Sequence, residues 1–260
     1  MYELELITRD EDIAVSDVDL RSVDEVRSFY ESLLLQRSVS ALRFVECGEA
    51  FAGFGLFDEA VACYGKAVVK DTGCLRAYLA RGELYFHLAV AASSVEIQEA
   101  FSQKAVEDFR KALMLSLGMS DVVWSLGIAL LFVGDPKSVQ SLAENVLAKG
   151  ESVTTAVRCD FLYLFGLASV FAGDRQRADE AFDLLLTSTG GAGAGLFGKI
   201  VSLLVWTDGS GVDAVLAELE PLDAELVQAG YSLRQSGCAS FVDVVRALSA
   251  CGSAIVKKRK

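Results

Sequence analysis

The chain has 260 residues, of which 52% are apolar, with a mean hydropathy of +0.38 and a formal net charge of −12. That length supports one or two domains or an elongated array, and it can bury a sizeable core without staples. A pI near 4.6 disfavours nucleic acid, because a phosphate backbone is met by clustered cations.

Residues 1–20 are polar, acidic and weakly alternating at Tyr2, Leu4 and Leu6, which predicts a partly ordered lead-in. They lack the basic and apolar pattern of a secretory signal. Ser22-x-x-Glu25 has capping-box form and predicts a helix with Val23, Val26, Phe29, Tyr30, Leu33 and Leu34 on one face. Two uses of that face stay open: a cap on the array that follows, or a contact in a homodimer.

From residue 41 onward, glycines flanked by large apolar residues recur at Gly48, Gly82, Gly127 and Gly166, at intervals of 34, 45 and 39. The first unit reads Phe44-x-x-Cys47-Gly48-x-x-Phe51, then Gly55, Ala60, Tyr64 and Ala67. The second reads Tyr78-x-x-Arg81-Gly82-x-x-Tyr85, then Ala105, Phe109 and Ala112. The third has Leu126-Gly127-x-x-Leu130, Gly134, Val139, Ala143 and Val146. The fourth has Leu162-x-x-Phe165-Gly166, Gly173, Ala178, Phe182 and Leu185.

This pattern resembles the tetratricopeptide repeat, whose 34-residue unit is two antiparallel helices. The resemblance covers 41–188. It implies an all-α, right-handed solenoid of helix-turn-helix hairpins with capping helices at both ends. The third unit departs from the pattern, with Val139 and Ala143 in place of the small–large order, and Thr72 stands where the family's proline would close unit one. Asp135-Pro136 and Asp174 supply helix starts for units three and four. Unit two carries 11 extra residues, about three helical turns. With a capping box at Ser93-x-x-Glu96, they predict a lengthened, protruding hairpin, the alternative being a short loop.

The organisation expected is thus 1–38 as acidic segment and capping helix, 39–188 as four repeats, 189–256 as a glycine-rich linker with C-terminal helices, and 257–260 as a basic tail. The run Gly193-x-Gly195-x-x-Gly198 has the form of a dinucleotide-binding turn, but helix rather than strand is predicted before it. It therefore reads as a linker or as tight helix packing. Short helices are predicted near 199–206, 212–219, 221–233 and 240–248. The tail Lys257-Lys258-Arg259-Lys260 reads as a solvated end, the alternative being contact with an acidic partner or lipid.

The apolar stretches Val122–Gly134 and Phe161–Gly173, about 13 residues each, are short of the ~20 that span a bilayer, and Gly190–Trp206 includes Lys199. No membrane span is expected. The six cysteines show no CxxC or zinc spacing and read as reduced core residues of a cytoplasmic protein. Any triad would run through His87, the single histidine. No catalytic residue, metal site or cofactor is assigned, and an enzyme is not expected.

In the resembled fold the first helices line a concave groove. Carried over, the partner-facing positions include Arg76, Glu83, Phe86 and His87 in unit two, Trp124, Ile128 and Phe132 in unit three, and Tyr163, Leu167 and Phe171 in unit four. Unit one offers Leu42, Val45, Glu49, Ala52 and Gly53. Val45, Glu49, Ala80 and Ser125 stand where the family's carboxylate clamp would have lysine, arginine and asparagine, so that clamp is not expected. The resemblance implies an interaction module, adaptor or chaperone-like, holding a protein or peptide partner. An apolar groove of this size calls for a cover. Either an apolar or amphipathic partner segment lies there, or the chain's own C-terminal helices fill it and leave a structural assembly subunit.

Overall fold

A computed structural model describes residues 22–36, 38–207 and 209–250, with side chains left aside at 151 and 248–250. The lead-in 1–20, Cys251 and the basic tail lie outside the described residues. Thirteen α-helices and no strand occur among them. They are α1 Val23–Leu35, α2 Ala41–Gly53, α3 Phe57–Lys70, α4 Leu75–Ala91, α5 Val95–Leu115, α6 Ser120–Phe132, α7 Pro136–Leu147, α8 Thr155–Ala172, α9 Arg175–Thr187, α10 Ala192–Trp206, α11 Val212–Leu219, α12 Ala224–Ser236 and α13 Phe241–Ala250. The all-α solenoid class expected from the sequence is the one observed.

The repeating glycines explain why consecutive helices pair. A Cβ at Gly48 would stand 2.5 Å from the Tyr64 ring of α3, and one at Gly82 3.0 Å from Phe109 of α5. At Gly166 it would overlap Phe182 of α9. In each case a missing side chain on the first helix admits the aromatic of the second, so the hairpin closes on backbone-to-ring contact. Unit three solves the problem differently. No aromatic is present in α7, and Leu164 of the next unit fills the space at Gly127, 2.6 Å from where a Cβ would be.

The extra residues of unit two are helical. Helix α4 has 17 residues against 13 in α2, and α5 has 21 against 14 in α3, joined by a three-residue turn as in unit one. Its start differs from the sequence expectation by one residue. Ser94, not Ser93, is the cap, and its hydroxyl accepts the Ile97 N–H while also bonding the Glu96 carboxylate. That second contact holds the Glu96 carboxyl below its ordinary range. The other starts follow the sequence: Ser22 accepts from the Glu25 N–H, Asp135 from Ser138 and Asp174 from Arg177, each at 3.2 Å.

The two long helices are also clamped by an ion pair that the repeat pattern does not announce. Arg81 of α4 donates two hydrogen bonds of 2.8 Å to the carboxylate of Asp108 in α5, which is 5% exposed. The Asp108 contact pushes the Arg81 guanidinium above its ordinary value.

Of the linker and the tight helix packing that the glycine run left open, the packing is observed. Helix α10 begins at Ala192 and takes Gly193, Gly195 and Gly198 into its body. A Cβ at Gly195 would stand 3.0 Å from the Phe182 carbonyl oxygen, and one at Gly198 would overlap the Phe182 ring. Phe182, fully buried, is thus seated between the glycines of α8 and α10. Small residues here serve close approach, not phosphate binding.

Helix α1 lies on α2, burying Val26 and Leu33 and setting the Tyr30 ring edge-on to Phe44 and Phe51 at 6.4 and 6.0 Å. That is the geometry of a cap over an exposed end unit. Unit one and α1 share one core with Ala77 and Leu84 of α4, Tyr78, Ala112 and Val122 form a small cluster of their own, and the rest of units two to four shares a second core with α10–α13. Helix α8 is, among the described residues, the one helix long and apolar enough to cross a membrane. Here Phe161, Leu164 and Leu167 are 1% exposed or less, packed in the second core.

Candidate functional site

The inner face built by α2, α4, α6 and α8 divides into a covered floor and an open cleft. The floor is formed by the C-terminal halves of α4, α6 and α8. Phe86 meets Phe132 edge-on at 5.2 Å, and both are buried with Ile128 and Leu167. Helix α13 lies against α4 and α6. Its Phe241 ring stands edge-on to Phe171 at 5.8 Å, and Arg246 donates to the Gln98 side chain at the start of α5 at 2.8 Å. Phe241, Val244 and Val245 complete the cluster. Of the two covers the sequence left open, this part of the groove has the chain's own end.

The ten sequence-derived positions therefore have different surroundings. Ile128, Phe132, Tyr163 and Leu167 are 5% exposed or less and belong to the core. Ile128, Phe132 and Leu167 lie on the floor that α13 covers and Tyr163 on the wall of the cleft described below, so positions expected to be open docking residues are packed as core. Phe86 is buried on the same floor, and Phe171 is half-buried at its edge. Arg76 is exposed and donates to both oxygens of Glu49 in α2, at 2.7 and 3.2 Å. Glu83 is half-buried, and His87 is exposed.

Trp124 alone of the ten is both half-buried and at the mouth of open space. A cleft of about 620 Å³ lies at the N-terminal ends of α6, α8, α10 and α12. Its walls are Ser120, Asp121 and Trp124 of α6, Ala156, Val157, Cys159, Asp160, Phe161 and Tyr163 of α8, and residues 189–194 with Leu222, Asp223 and Leu226. The Trp124 indole stands edge-on to Phe161 at 6.2 Å, which fixes the ring on the wall. Helix α8 is 18 residues long, so its first turn extends past the repeat register and supplies Ala156 and Val157 to that wall.

The cleft's polarity is one-sided. Asp121, Asp160 and Asp223 line it, and no lysine or arginine does. Asp223 caps α12, accepting from the Glu225 and Leu226 N–H groups at 3.1 and 3.0 Å. Helix α10 has no side-chain cap, so donors of its first turn are left to the cleft or to water. Sequence reasoning named Trp124 and Tyr163 as inward positions but missed Asp223, Leu226 and the glycine run as cleft walls. Only the fold brings the start of α12 to that place.

A second cleft of about 300 Å³ lies between α9 and α10, where Arg175, Asp179, Asp183 and Lys199 line it. Its charges pair with one another, Lys199 with Asp183 at 2.6 Å and Arg175 with Asp179 at 3.7 Å. Among the described residues no three His, Cys, Asp or Glu side chains converge as a metal site would need.

Among solved structures the chain is similar to YrrB, described as a TPR protein with an unusual peptide-binding site. The TM-score is 0.53 at 17% identity, over 78% of this chain and 96% of that one. This is a tetratricopeptide-like fold. No family model matches the sequence, and no curated protein matches it.

Proposed function

We propose that the chain is a non-catalytic interaction module that holds a segment of a protein partner at the open end of its tetratricopeptide-like groove. The observation that carries this reading is the cleft at Trp124, which pairs an aromatic wall with carboxylates and uncapped helix N–H donors. An extended peptide offers groups that complement these. Its carbonyls accept from the α10 terminus, a lysine or arginine meets Asp121, and an apolar side chain lies on Trp124. The described cysteines, free and buried, support a protein of a reducing compartment.

The test is selection of a random peptide library on the full-length chain. Selected peptides are expected to carry a cation beside an apolar residue. They are expected to lose about tenfold or more in affinity, roughly 1.4 kcal/mol or more, on Trp124→Ala and on Asp121→Lys, and nothing on His87→Ala. Binders indifferent to both cleft substitutions would overturn the proposal. The covered floor favours a second reading, a structural subunit that presents its convex face and the long α4–α5 hairpin for assembly. Binders mapped to the exposed Val95 and Ile97 at the hairpin tip, and not to Trp124, would select it.

A further inference from the structure

The floor of the groove is covered by a helix whose attachments are unlike those of the rest of the array. Helix α13 is described from Phe241 to Ala250 and lies against α12, α6 and α4. Its cap is its own: Asp243 accepts from the Ala239 and Ser240 N–H groups at 3.0 and 2.9 Å and from the Ser240 hydroxyl at 3.1 Å. The segment from Ala239 onward thus keeps its terminal hydrogen bonds whether or not it is docked. Toward the array, the polar contact is the exposed Arg246–Gln98 pair, and the rest is one apolar stripe of Phe241, Val244 and Val245.

The connection to α12 turns at one glycine. Gly237, with φ of +87°, lies just after the C-terminus of α12, in a conformation that residues with a side chain rarely adopt. Next to it the fit is imperfect. The Tyr163 hydroxyl is buried without a hydrogen-bond partner. It lies close enough to the Cys238 thiol to feel its charge, and burial pushes that thiol up to about 12.

We infer that α13 is a detachable strap over a helix-docking surface formed by Phe86, Phe132, Leu167 and Phe171, and that the strap swings out about Gly237 to admit a partner helix of its own pattern. The resident helix defines that partner's chemistry: an aromatic residue, aliphatic residues three and four positions later, and a cation at the fifth. The surface lies across the groove from the Trp124 cleft, and the inference stands or falls without it.

Two measurements on the full-length chain decide it. Amide hydrogen exchange in the wild-type protein is expected to be about 100-fold or more faster through α13 than through the interior of α8, reflecting local release. A labelled peptide of residues 239–250 is expected to bind Val245→Asp, which unseats the resident helix, about tenfold or more tighter than it binds wild type. The wild-type affinity is reduced by the fraction of molecules in which the strap is closed. The same peptide carrying Val244→Asp is expected not to bind. Equal affinity for variant and wild type, or no binding to a variant that keeps its helical circular dichroism, overturns the inference. If Val245→Asp does not fold, exchange alone decides, and α13 protection equal to that of α8 overturns it.

Discussion

The floor and the cleft share one concave face, yet they differ in how they are completed. Under α13 the inner-face side chains pack against residues more than 60 positions away and become core. At the helix starts, the same face stays open to solvent with Trp124 half-exposed and carboxylates around it. In a repeat array, then, an inward position is not by itself a docking position. What matters is whether a terminal helix reaches it, and here α13 reaches the C-terminal halves of the first helices but not their starts.

The contrast is broken most sharply by paired alanine substitutions. Phe132→Ala removes a ring that is 4% exposed and is expected to cost about 3–5 kcal/mol in urea unfolding. Trp124→Ala, at the open end, is expected to cost only about 1–2 kcal/mol. Equal losses would mean that the cleft is as much core as the floor. Next in size is Asp108→Ala, which leaves Arg81 half-buried without its partner in the hairpin on which α13 lands. It is expected to cost about 3 kcal/mol, the lower end for a buried pair because the Arg81 side chain is 20% exposed. A loss below about 1 kcal/mol would show that the Arg81 charge reaches solvent on its own.

Much of this architecture is legible in the residues themselves. Gly48 with Tyr64, Gly82 with Phe109 and Gly166 with Phe182 stand at fixed spacings because each hairpin solves the same packing problem locally. The caps at Ser22, Asp135 and Asp174 are equally local. Ser93 and Ser94 are not told apart by local chemistry, since both precede an acidic residue in the first turn. The phase is set by Ala105 and Phe109 facing Gly82, a tertiary demand. The glycine run stays open between linker and packing for a related reason: its small residues answer Phe182, whose position between α8 and α10 no spacing reports. Asp108, by contrast, could be flagged from sequence, because a carboxylate in the apolar stripe of Ala105, Phe109 and Ala112 requires a cation opposite it. The fate of the groove lies beyond sequence in another way. The stripe on α13 is plain, but its destination is not: Phe241 meets Phe171, and Arg246 beside the stripe bonds Gln98, 148 residues away.

The smallest expected effect tests the boundary between floor and cleft. Tyr163 lines the cleft, yet its hydroxyl is buried and unpaired. Replacing Tyr163 by Phe removes a desolvated donor without emptying space, and is expected to stabilise the protein by about 1 kcal/mol near neutral pH. Burial raises the Tyr163 pKa above the ordinary value of 10, so above about pH 10 the unfolded chain loses a proton that the folded chain keeps. Stability therefore falls as pH rises past that value, and this part of the fall is absent from the variant. The margin of Tyr163→Phe over wild type should widen between pH 7.5 and pH 10.5, as read from urea midpoints. A variant less stable than wild type at neutral pH would mean that the hydroxyl has a bonded partner, and that the floor closes around Cys238 as tightly as the rest of the core.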